Sequence, residues 1–415
     1  MSTSKDKIWK KIDEEHDEIL ELAGDLIRFP SENPPGDMTE IAGFVVEYLS
    51  DYGLDCETHE PESGKINIIC KLGTGKEKRL VLNGHLDVVP VGDKDDWSFP
   101  PFSGEVKDGF LLGRGASDMK GGDTGIISAM RLLVDYEDEL EGTVTLTLVP
   151  DEETMGELGT GWILDEKLID PTACVIAEPT DLPLIDIGQK GAYWGRVVVK
   201  GTPIHGSLSP YKGDSAIRKA CKVMEKMFDI TKVDVKAPKD IKKVIEESKP
   251  LIEDLIGEEG VGIILSSPTL NIGIIKGGNK VNIVPDRCEL EFDMRLPIGF
   301  DISKASGRME EILEDFGDDV VLDIGTAIDP NYTAPDAPIV TSTMENVERV
   351  LGREPRRFTQ WASSDARHFR NRGIDTVHYG PAIIEGIHGI DEKVKADDVV
   401  QATKVYTGVI LDYLS

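Results

Sequence analysis

The segment LVLNGHLDVVP at residues 80–90 decides the fold, because a short apolar run, Leu80 to Leu82, leads directly into His85 and Asp87. Such a run is typical of a buried strand, and its last residues are of the types that bind metals. The same design recurs twice along the chain. The three strand patterns and the residues that follow them are Leu80–Leu82 with His85 and Asp87, Thr143–Val149 with Glu152 and Glu153, and Ala173–Ala177 with Glu178.

Helical patterns alternate with these strands. Two amphipathic stretches open the chain, from about Lys5 to Arg28 and from Met38 to Tyr52, and a helical pattern runs from Asp123 to Tyr136. This alternation predicts an α/β layer with a mostly parallel sheet flanked by helices. In such sheets ligands bind outside the carboxyl ends of the strands.

The pattern changes from Ala192 to about Ile324. Strand and helix patterns there follow the order β-α-β-β-α-β, which predicts a ferredoxin-like α+β domain, and a charged segment from Lys232 to Glu259 interrupts it. The alternation of strand and helix patterns seen in the first part of the chain returns after Pro335 and ends with a helix from Asp397 to Leu414. We therefore predict a first domain in two parts, residues 1–190 and 329–415, with a second domain, residues 191–328, inserted between them.

Composition limits the function. The 415 residues exceed what one hydrophobic core usually organises. A formal charge of −31 disfavours nucleic acid and anionic membranes as partners. The chain has no long apolar run, and its charged beginning, MSTSKDKIWKK, differs from a signal peptide, so we expect a soluble cytoplasmic protein. The five cysteines show no C-x-x-C spacing and are predicted to be reduced thiols.

Acids and histidines at the strand ends suggest a metal site. In His85-x-Asp87 the carboxylate is suited to orient a metal-bound imidazole, although a surface pair is the alternative. Asp118 lies in a glycine-rich segment that is suited to hold its carboxylate in place as a metal ligand. The alternative is that Asp118 is the N-cap of a helix. Glu152 and Glu153 point in different directions outside a helix, so one can bind metal while the other faces water, unless both form a solvated turn.

Five ordered motifs carry a resemblance that covers essentially the whole chain. They are HLDVVP (85–90), GRGASDMKGG (113–122), PDEE (150–153), AEPT (177–180) and IHGIDE (387–392). Together they resemble the metal-dependent aminoacylase/carboxypeptidase family, which includes acetylornithine deacetylase, succinyl-diaminopimelate desuccinylase and glutamate carboxypeptidase. The resemblance implies a zinc-exopeptidase-like catalytic domain and an inserted domain that serves as a lid and in dimerisation.

The resemblance also implies a centre with two divalent metal ions. Asp118 would bridge them, His85 and Glu178 would hold one ion, and Glu153 and His388 would hold the other. Three carboxylates and a hydroxide balance the four positive charges of two divalent ions. Zinc suits such a mixed shell of histidines and carboxylates, and cobalt or manganese is also compatible.

Catalytic roles follow by the same resemblance. Glu152 matches the general base, Asp87 orients His85 without binding metal, and His205 in GTPIHG (201–206) matches a lid histidine that reaches the partner's active site in dimeric members. The resemblance further implies a strained, cis-type peptide after Asp118.

Substrate-binding roles are implied for Asn282 and Arg295 of the inserted domain and for Lys190, at the end of the first part of the first domain. Asn282 and Arg295 match a pair that binds the substrate carboxylate, with an edge-strand ion pair as the alternative for Arg295. Lys190 stands where related desuccinylases carry Arg, which weakens the desuccinylase interpretation. The segment SSDAR (363–367) resembles a loop that frames the substrate, or it satisfies only its own hydrogen bonds.

These features predict an amidohydrolase that cleaves the amide bond of an N-acyl amino acid. A metallo-carboxypeptidase or dipeptidase with the same centre is the alternative. A third hypothesis is a metal-binding homologue without activity. The predicted partners are the small substrate, or a short peptide, and a second copy of the chain.

Overall fold

The computed structural model describes residues 3–415, which divide into two compact units. The first unit comprises residues 3–187, 333–358 and 364–415, and the second comprises residues 188–332 together with 359–363. The short segment 359–363 thus lies with the inserted unit, although it follows that unit in the sequence.

The helices and strands are numbered in chain order. Up to the inserted unit they are α1 (Ser4–Glu14), α2 (His16–Arg28), α3 (Thr39–Asp51), β1 (Cys56–Glu62), β2 (Lys65–Leu72), β3 (Arg79–His85), β4 (Glu105–Lys107), β5 (Phe110–Leu112), α4 (Lys120–Leu133), β6 (Thr143–Val149), α5 (Thr160–Asp165), β7 (Ala173–Ile176) and β8 (Leu184–Gln189). Within it are β9 (Gly191–Lys200), α6 (Ala216–Met227), α7 (Lys239–Ile256), β10 (Thr269–Gly277), β11 (Arg287–Leu296), α8 (Ile302–Leu313), β12 (Val320–Ile328) and β13 (Asn331–Tyr332). The remainder are α9 (Pro338–Leu351), β14 (Arg356–Gln360), α10 (Ala366–Arg370), β15 (Asp375–His378), β16 (Lys393–Lys395) and α11 (Ala396–Tyr413).

The main sheet of the first unit has the strand order β1-β2-β6-β3-β7-β15-β8. Its central strands are parallel: β3 pairs with β6 and with β7, and β7 pairs with β15. Strands β3, β6 and β7 are almost entirely buried, as expected for strands covered on both faces. The predicted α/β class, with a mostly parallel sheet flanked by helices, is confirmed.

Helix α4 is buried along its whole length, including its polar residues. Two glycines allow this close packing. A Cβ at Gly122 would collide with the backbone carbonyl of Ala177, and one at Gly125 would lie 2.6 Å from the ring of Tyr406 in α11. The glycines after Asp118 therefore seat the helix directly behind the strand ends.

The inserted unit is an antiparallel four-stranded sheet in the order β10-β11-β9-β12. This strand order and the β-α-β-β-α-β sequence of elements are those of a ferredoxin-like domain. Alternate residues of β11 are buried, and they pack with residues of α6 and α8 in one apolar core.

Several local predictions are wrong. The pattern over 5–28 predicts one helix but forms two, which meet at Glu15. The charged segment 232–259, for which the sequence pattern predicts no helix or strand, contains α7. Strands β1 and β8 carry no prediction at all. Among the described residues, every helix is too short or too polar to traverse a lipid bilayer.

The prediction of five reduced cysteines is also wrong. Cys56 and Cys70 form a disulfide between paired positions of β1 and β2, with their Cα atoms 4.4 Å apart, while Cys174, Cys221 and Cys288 are free. Because β1 is a polar edge strand, the sequence gives little sign that the two cysteines lie opposite each other.

Candidate metal centre and active site

The parallel pairing of β3 with β6 and β7 brings the carboxyl ends of these three strands to the same edge of the sheet. His85 ends β3 and is paired with Val149 of β6, so Glu152 and Glu153 follow immediately beside it. Asn83 of β3 is paired with Ile176 of β7, two residues before Glu178. Sequence segments that are far apart therefore deliver their side chains to one place.

Asp118 and His388 complete the cluster. His85 Nε2 lies 3.2 Å from Asp118 Oδ1 and 3.8 Å from Glu178 Oε1. His388 Nε2 lies 3.2 Å from Asp118 Oδ2 and 3.3 Å from Glu153 Oε1. The cluster thus forms two groups of possible ligands, His85 with Asp118 and Glu178, and Asp118 with Glu153 and His388. Asp118 belongs to both and turns one oxygen toward each histidine.

Asp87 organises the site from behind. It is fully buried, and the Nδ1 atom of His85 lies 2.8 Å from its backbone oxygen and 3.3 Å from its Oδ1. Its carboxylate also accepts hydrogen bonds from the backbone N–H groups of Glu152 and Glu153, both at 3.2 Å, and from Asn33 Nδ2 at 2.8 Å. One side chain therefore fixes both the imidazole and the start of the acidic turn.

Glu392 holds the loop that carries Asp118, a role that we did not predict although the residue ends the fifth motif. Its Oε1 accepts hydrogen bonds from the backbone N–H groups of Gly115 (3.0 Å), Ser117 (3.0 Å) and Asp118 (3.2 Å). Its other oxygen pairs with the guanidinium of Arg114, which is 2% exposed. The peptide bond between Asp118 and Met119 is cis, as the resemblance implies.

The cluster concentrates negative charge in a buried place. Burial, and then repulsion by Asp118, raise the pKa of Glu178 well above its usual value, and the same causes raise the pKa of Glu153. Hydrogen bonds to Asp118 and Glu153 raise the pKa of His388 to about 10. Burial would lower the pKa of His85, but hydrogen bonds to Asp118 and Asp87 outweigh it and raise the pKa well above the usual value.

This donor set fits divalent cations. Three carboxylates lie together with two histidines in the cluster, and such a concentration of like charge favours positively charged ligands. Imidazole and carboxylate are the usual ligands of zinc, cobalt and manganese. His388 also has a backbone φ of +60°, a strained conformation that is enriched at functional sites.

In the inserted unit, His205 and Asn282 lie together. Both are exposed, His205 is bridged to Ile283, and the N–H of Gly206 donates to the carbonyl of Asn282 at 2.8 Å. His205 Nδ1 lies 2.7 Å from Ser207 Oγ. The two residues thus belong to one pair of neighbouring loops.

Arg295 and Lys190 line a cavity of about 290 Å³ in the same unit. Arg295 donates from Nε and Nη2 to Asp293, at 2.8 and 3.1 Å, and its guanidinium lies 5.3 Å from the centre of the Trp194 ring. An ion pair is the alternative prediction for Arg295, but β11 is an inner strand of the sheet and not an edge strand. The pair leaves Nη1 unengaged by Asp293.

The ammonium of Lys190 has three donors, and three acceptors surround it: the carbonyls of Ile264 (2.8 Å) and Ser267 (3.0 Å), and Thr269 Oγ1 (3.3 Å). Burial, and then the nearby charge of Arg295, lower its pKa to about 7. These contacts give Lys190 a structural role. Direct substrate binding would require the exchange of one of these bonds.

Comparison with known proteins identifies the family. The model of peptidase family M20/M25/M40 matches residues 81–412. The chain belongs to this family. M20 proteins are metal-dependent hydrolases of amide and peptide bonds, so the chain is an enzyme of this kind and the predicted family is confirmed.

Individual M20 relatives agree over nearly the whole chain. A probable succinyl-diaminopimelate desuccinylase from Staphylococcus epidermidis is 29% identical, over 96% of this chain and 98% of its own length. The structure of an M20 metallo-carboxypeptidase from Sulfolobus solfataricus has a TM-score of 0.78 at 20% identity and covers 95% of this chain and 99% of its own. The structure of a dinuclear metal-binding M20 peptidase from Bacillus subtilis has a TM-score of 0.67 at 15% identity and covers 96% of this chain and 98% of its own.

The substitution Glu392→Gln tests how the Asp118 loop is held. Removal of the charge leaves the buried Arg114 guanidinium uncompensated, so the free energy of unfolding should fall by about 3 kcal/mol. Denaturant unfolding measures this change, and Glu385→Gln, an exposed substitution in the neighbouring loop, serves as the control. An unchanged unfolding midpoint for Glu392→Gln would contradict the anchoring role.

Proposed function

We propose that this chain is a two-metal amidohydrolase that releases an amino acid from an N-acyl amino acid. The observation that carries the proposal is the convergence of His85, Asp118, Glu153, Glu178 and His388, with Glu152 in the same acidic turn. A cluster of this kind suits hydrolysis, because it combines cation ligands with a separate carboxylate that can move a proton.

In this proposal Asp118 would be shared by two divalent ions, most simply zinc. His85 and Glu178 would help to hold one ion, and Glu153 and His388 would help to hold the other. When bound, such ions polarise the amide carbonyl and lower the pKa of water. Asp87 binds no metal, and it keeps the His85 ring in the orientation that presents Nε2.

Glu152 is the proposed general base. Burial, and then repulsion by Glu178, raise its pKa well above the usual value, which suits a carboxylate that accepts a proton from water and returns it to the leaving amine. Its backbone is tied to Asp87, so the base and His85 share one support. The proton therefore moves within a group of residues whose relative positions are fixed.

The inserted unit supplies the proposed substrate contacts. His205 would donate a hydrogen bond to the oxygen that gains negative charge, in the partner's site if the protein is a dimer. Asn282 and Arg295 would bind the carboxylate of the released amino acid, with Arg295 using the nitrogen that Asp293 does not engage. A substrate contact of Lys190 stays a prediction, and its three hydrogen bonds support the segment beside Arg295.

The acyl group is the least constrained part of the substrate. The desuccinylase name of the Staphylococcus epidermidis relative favours an N-acyl amino acid. Lys190 stands where the resemblance places the Arg of desuccinylases, and its ammonium is already engaged by three acceptors, which favours an acyl group other than succinyl. The alternative is a carboxypeptidase or dipeptidase. It should be tested together with the deacylase activity, because the fold is similar to that of the Sulfolobus solfataricus carboxypeptidase.

A panel of substrates separates these activities. With metal supplied, we expect N-acetyl amino acids to be hydrolysed with a higher kcat/KM than unblocked dipeptides or succinylated amino acids. The panel should vary the amino acid side chain at constant acyl group, and then the acyl group at constant side chain. Turnover of peptides alone would replace the proposed function with the peptidase alternative.

Glu152→Gln tests the general base. The amide keeps the size of the side chain but cannot accept the proton, so kcat should fall by about 10²- to 10⁴-fold. Metal analysis should give two divalent ions per chain in both the wild type and the variant. Glu157→Gln, an exposed substitution in the same segment, is the control. Wild-type activity in Glu152→Gln would exclude the base role, and loss of metal would place Glu152 among the ligands.

We also propose a homodimer formed through the inserted unit. Strand β10 lies at one edge of its sheet, and Ile274 and Ile275 are 43% and 52% exposed there. An exposed apolar edge strand is a template for pairing with another chain. A second copy would cover this edge by the same surface on both chains.

Ile275→Glu should shift the protein from dimer to monomer, because it places a charge in the proposed contact. Val321→Glu on the opposite edge strand β12 is a matched control, since Val321 is 43% exposed. Light scattering across a concentration series measures the mass. A wild-type monomer at every concentration would reject the proposal.

A cytoplasmic location stays a prediction. The disulfide between Cys56 and Cys70 is of a kind that is uncommon in the reducing cytosol. Thiol counting on the native protein, before and after reduction, would show whether this bond forms in cells.

A further inference from the structure

The turn that carries Glu152 and Glu153 has an unusual backbone. Met155 has a φ of +87°, a left-handed conformation that is costly for a residue with a side chain, and Gly156 follows with a φ of +58°. The turn is closed by hydrogen bonds from Met155 N to Glu152 O (2.9 Å) and from Gly156 N to Asp151 O (2.8 Å). Such a turn needs support from its surroundings to remain in one conformation.

Arg367 of α10 provides that support. Its side chain is buried, at 3% exposure, and its Nη2 donates a hydrogen bond to the carbonyl of Met155. The bond acts on the residue that has the strained backbone. It also links the turn to a helix more than two hundred positions away in the sequence.

Asp365 holds the turn from a second direction. It is 1% exposed, and its Oδ1 lies so close to Gly156 that a Cβ there would collide with it. Its Oδ2 accepts a hydrogen bond of 2.5 Å from Thr160 Oγ1, which in turn accepts one of 3.3 Å from Asn83 of β3. Asn83 lies two residues before His85, so this chain of bonds connects the acidic turn to the strand that carries the first histidine.

Arg367, Asp365 and their neighbour His368 contain buried polar atoms that lack hydrogen bonds, which lowers stability and is not explained by the fold alone. Among the described residues, Arg367 Nε is buried without a hydrogen-bond partner, and so are Asp365 Oδ1 and His368 Nε2, which lie 3.8 Å apart, beyond hydrogen-bond distance. Folded proteins satisfy most buried polar groups, and exceptions are concentrated where function requires them. A purely structural contact between a helix and a turn would be more stable with apolar side chains.

We propose that Arg367 and Asp365 are positioning residues that fix the conformation of the turn 152–155 and thereby aim the carboxylate of Glu152. The inference rests on the proposed base role of Glu152. In this role neither residue needs to contact the substrate or the ions. Their effect passes through the backbone of Met155 and Gly156.

Arg367→Met tests the inference, because methionine fills much of the space without donating a hydrogen bond. We expect kcat to fall by about 10- to 100-fold with little change in KM, as is usual for loss of an outer support of an active site. Metal content should equal that of the wild type. Amide hydrogen exchange should become faster in the peptide covering residues 151–158 and stay unchanged elsewhere.

Arg367→Lys should recover part of the lost kcat, since the ammonium can still donate to Met155. Arg372→Met is the control, because Arg372 follows on the same segment but pairs at the surface with Asp165. Gly156→Ala displaces Asp365 without removing a charge and should lower kcat in the same way. If Arg367→Met fails to fold, as judged by circular dichroism, Gly156→Ala and Arg367→Lys decide the question.

A folded Arg367→Met variant with wild-type kcat and exchange would overturn the inference. A loss of metal in proportion to the loss of kcat would also overturn it, because the effect would then pass through Glu153. Glu152→Gln separates this outcome from failure of the proposed function. If that variant is inactive while Arg367→Met is normal, only the positioning role is wrong, and if it remains active, the base role itself is wrong.

Discussion

The parallel pairing of β3 with β6 and β7 is the constraint on which the site depends. Parallel strands end at the same edge of a sheet, so the register that pairs His85 with Val149 also sets the place of Glu152 and Glu153. A shift of one residue would turn each side chain of β3 to the opposite face and remove His85 from the cluster. The register is fixed far from the chemistry, by continuous apolar strands and by α4 packed against them. The core of the fold and the geometry of the site are therefore set by the same contacts.

The concentration of carboxylates at this edge creates a second constraint, since buried negative charges repel one another. The protein places a supporting acidic side chain behind the segments that carry His85, Glu153 and Asp118. Asp87 supports His85 and the acidic turn, and Glu392 supports the Asp118 loop through three backbone N–H groups. These supports are themselves acidic, and Arg114 neutralises only one of them. The site thus carries more negative charge than the protein balances, and divalent cations are the natural counterions.

The ends of the central strands could be predicted from the sequence because apolar strands and metal-type ligands are adjacent there. Helix α7 could also have been found, since Ile241, Val244, Ile245 and Ile252 recur at helical spacing within the charged segment. Other features have no local signal. The disulfide depends on the pairing of a polar edge strand, and the roles of Glu392 and Arg367 depend on contacts between segments that lie hundreds of residues apart. Such contacts are properties of the tertiary structure, and the motifs contained these residues without revealing what they support.

The chain separates its functions between its two units. Every proposed metal ligand, the base and their supports lie in the first unit, so the whole proposed metal site belongs to one unit. The proposed contacts to the substrate carboxylate lie in the inserted unit, on strands and loops of a ferredoxin-like sheet. On the proposed assignment, substitutions in the inserted unit would change the substrate without disturbing the charge balance of the metal centre. Such a separation would explain why the motifs identify the reaction class more sharply than the substrate, since the motifs are concentrated in the first unit and the proposed substrate contacts lie in the second.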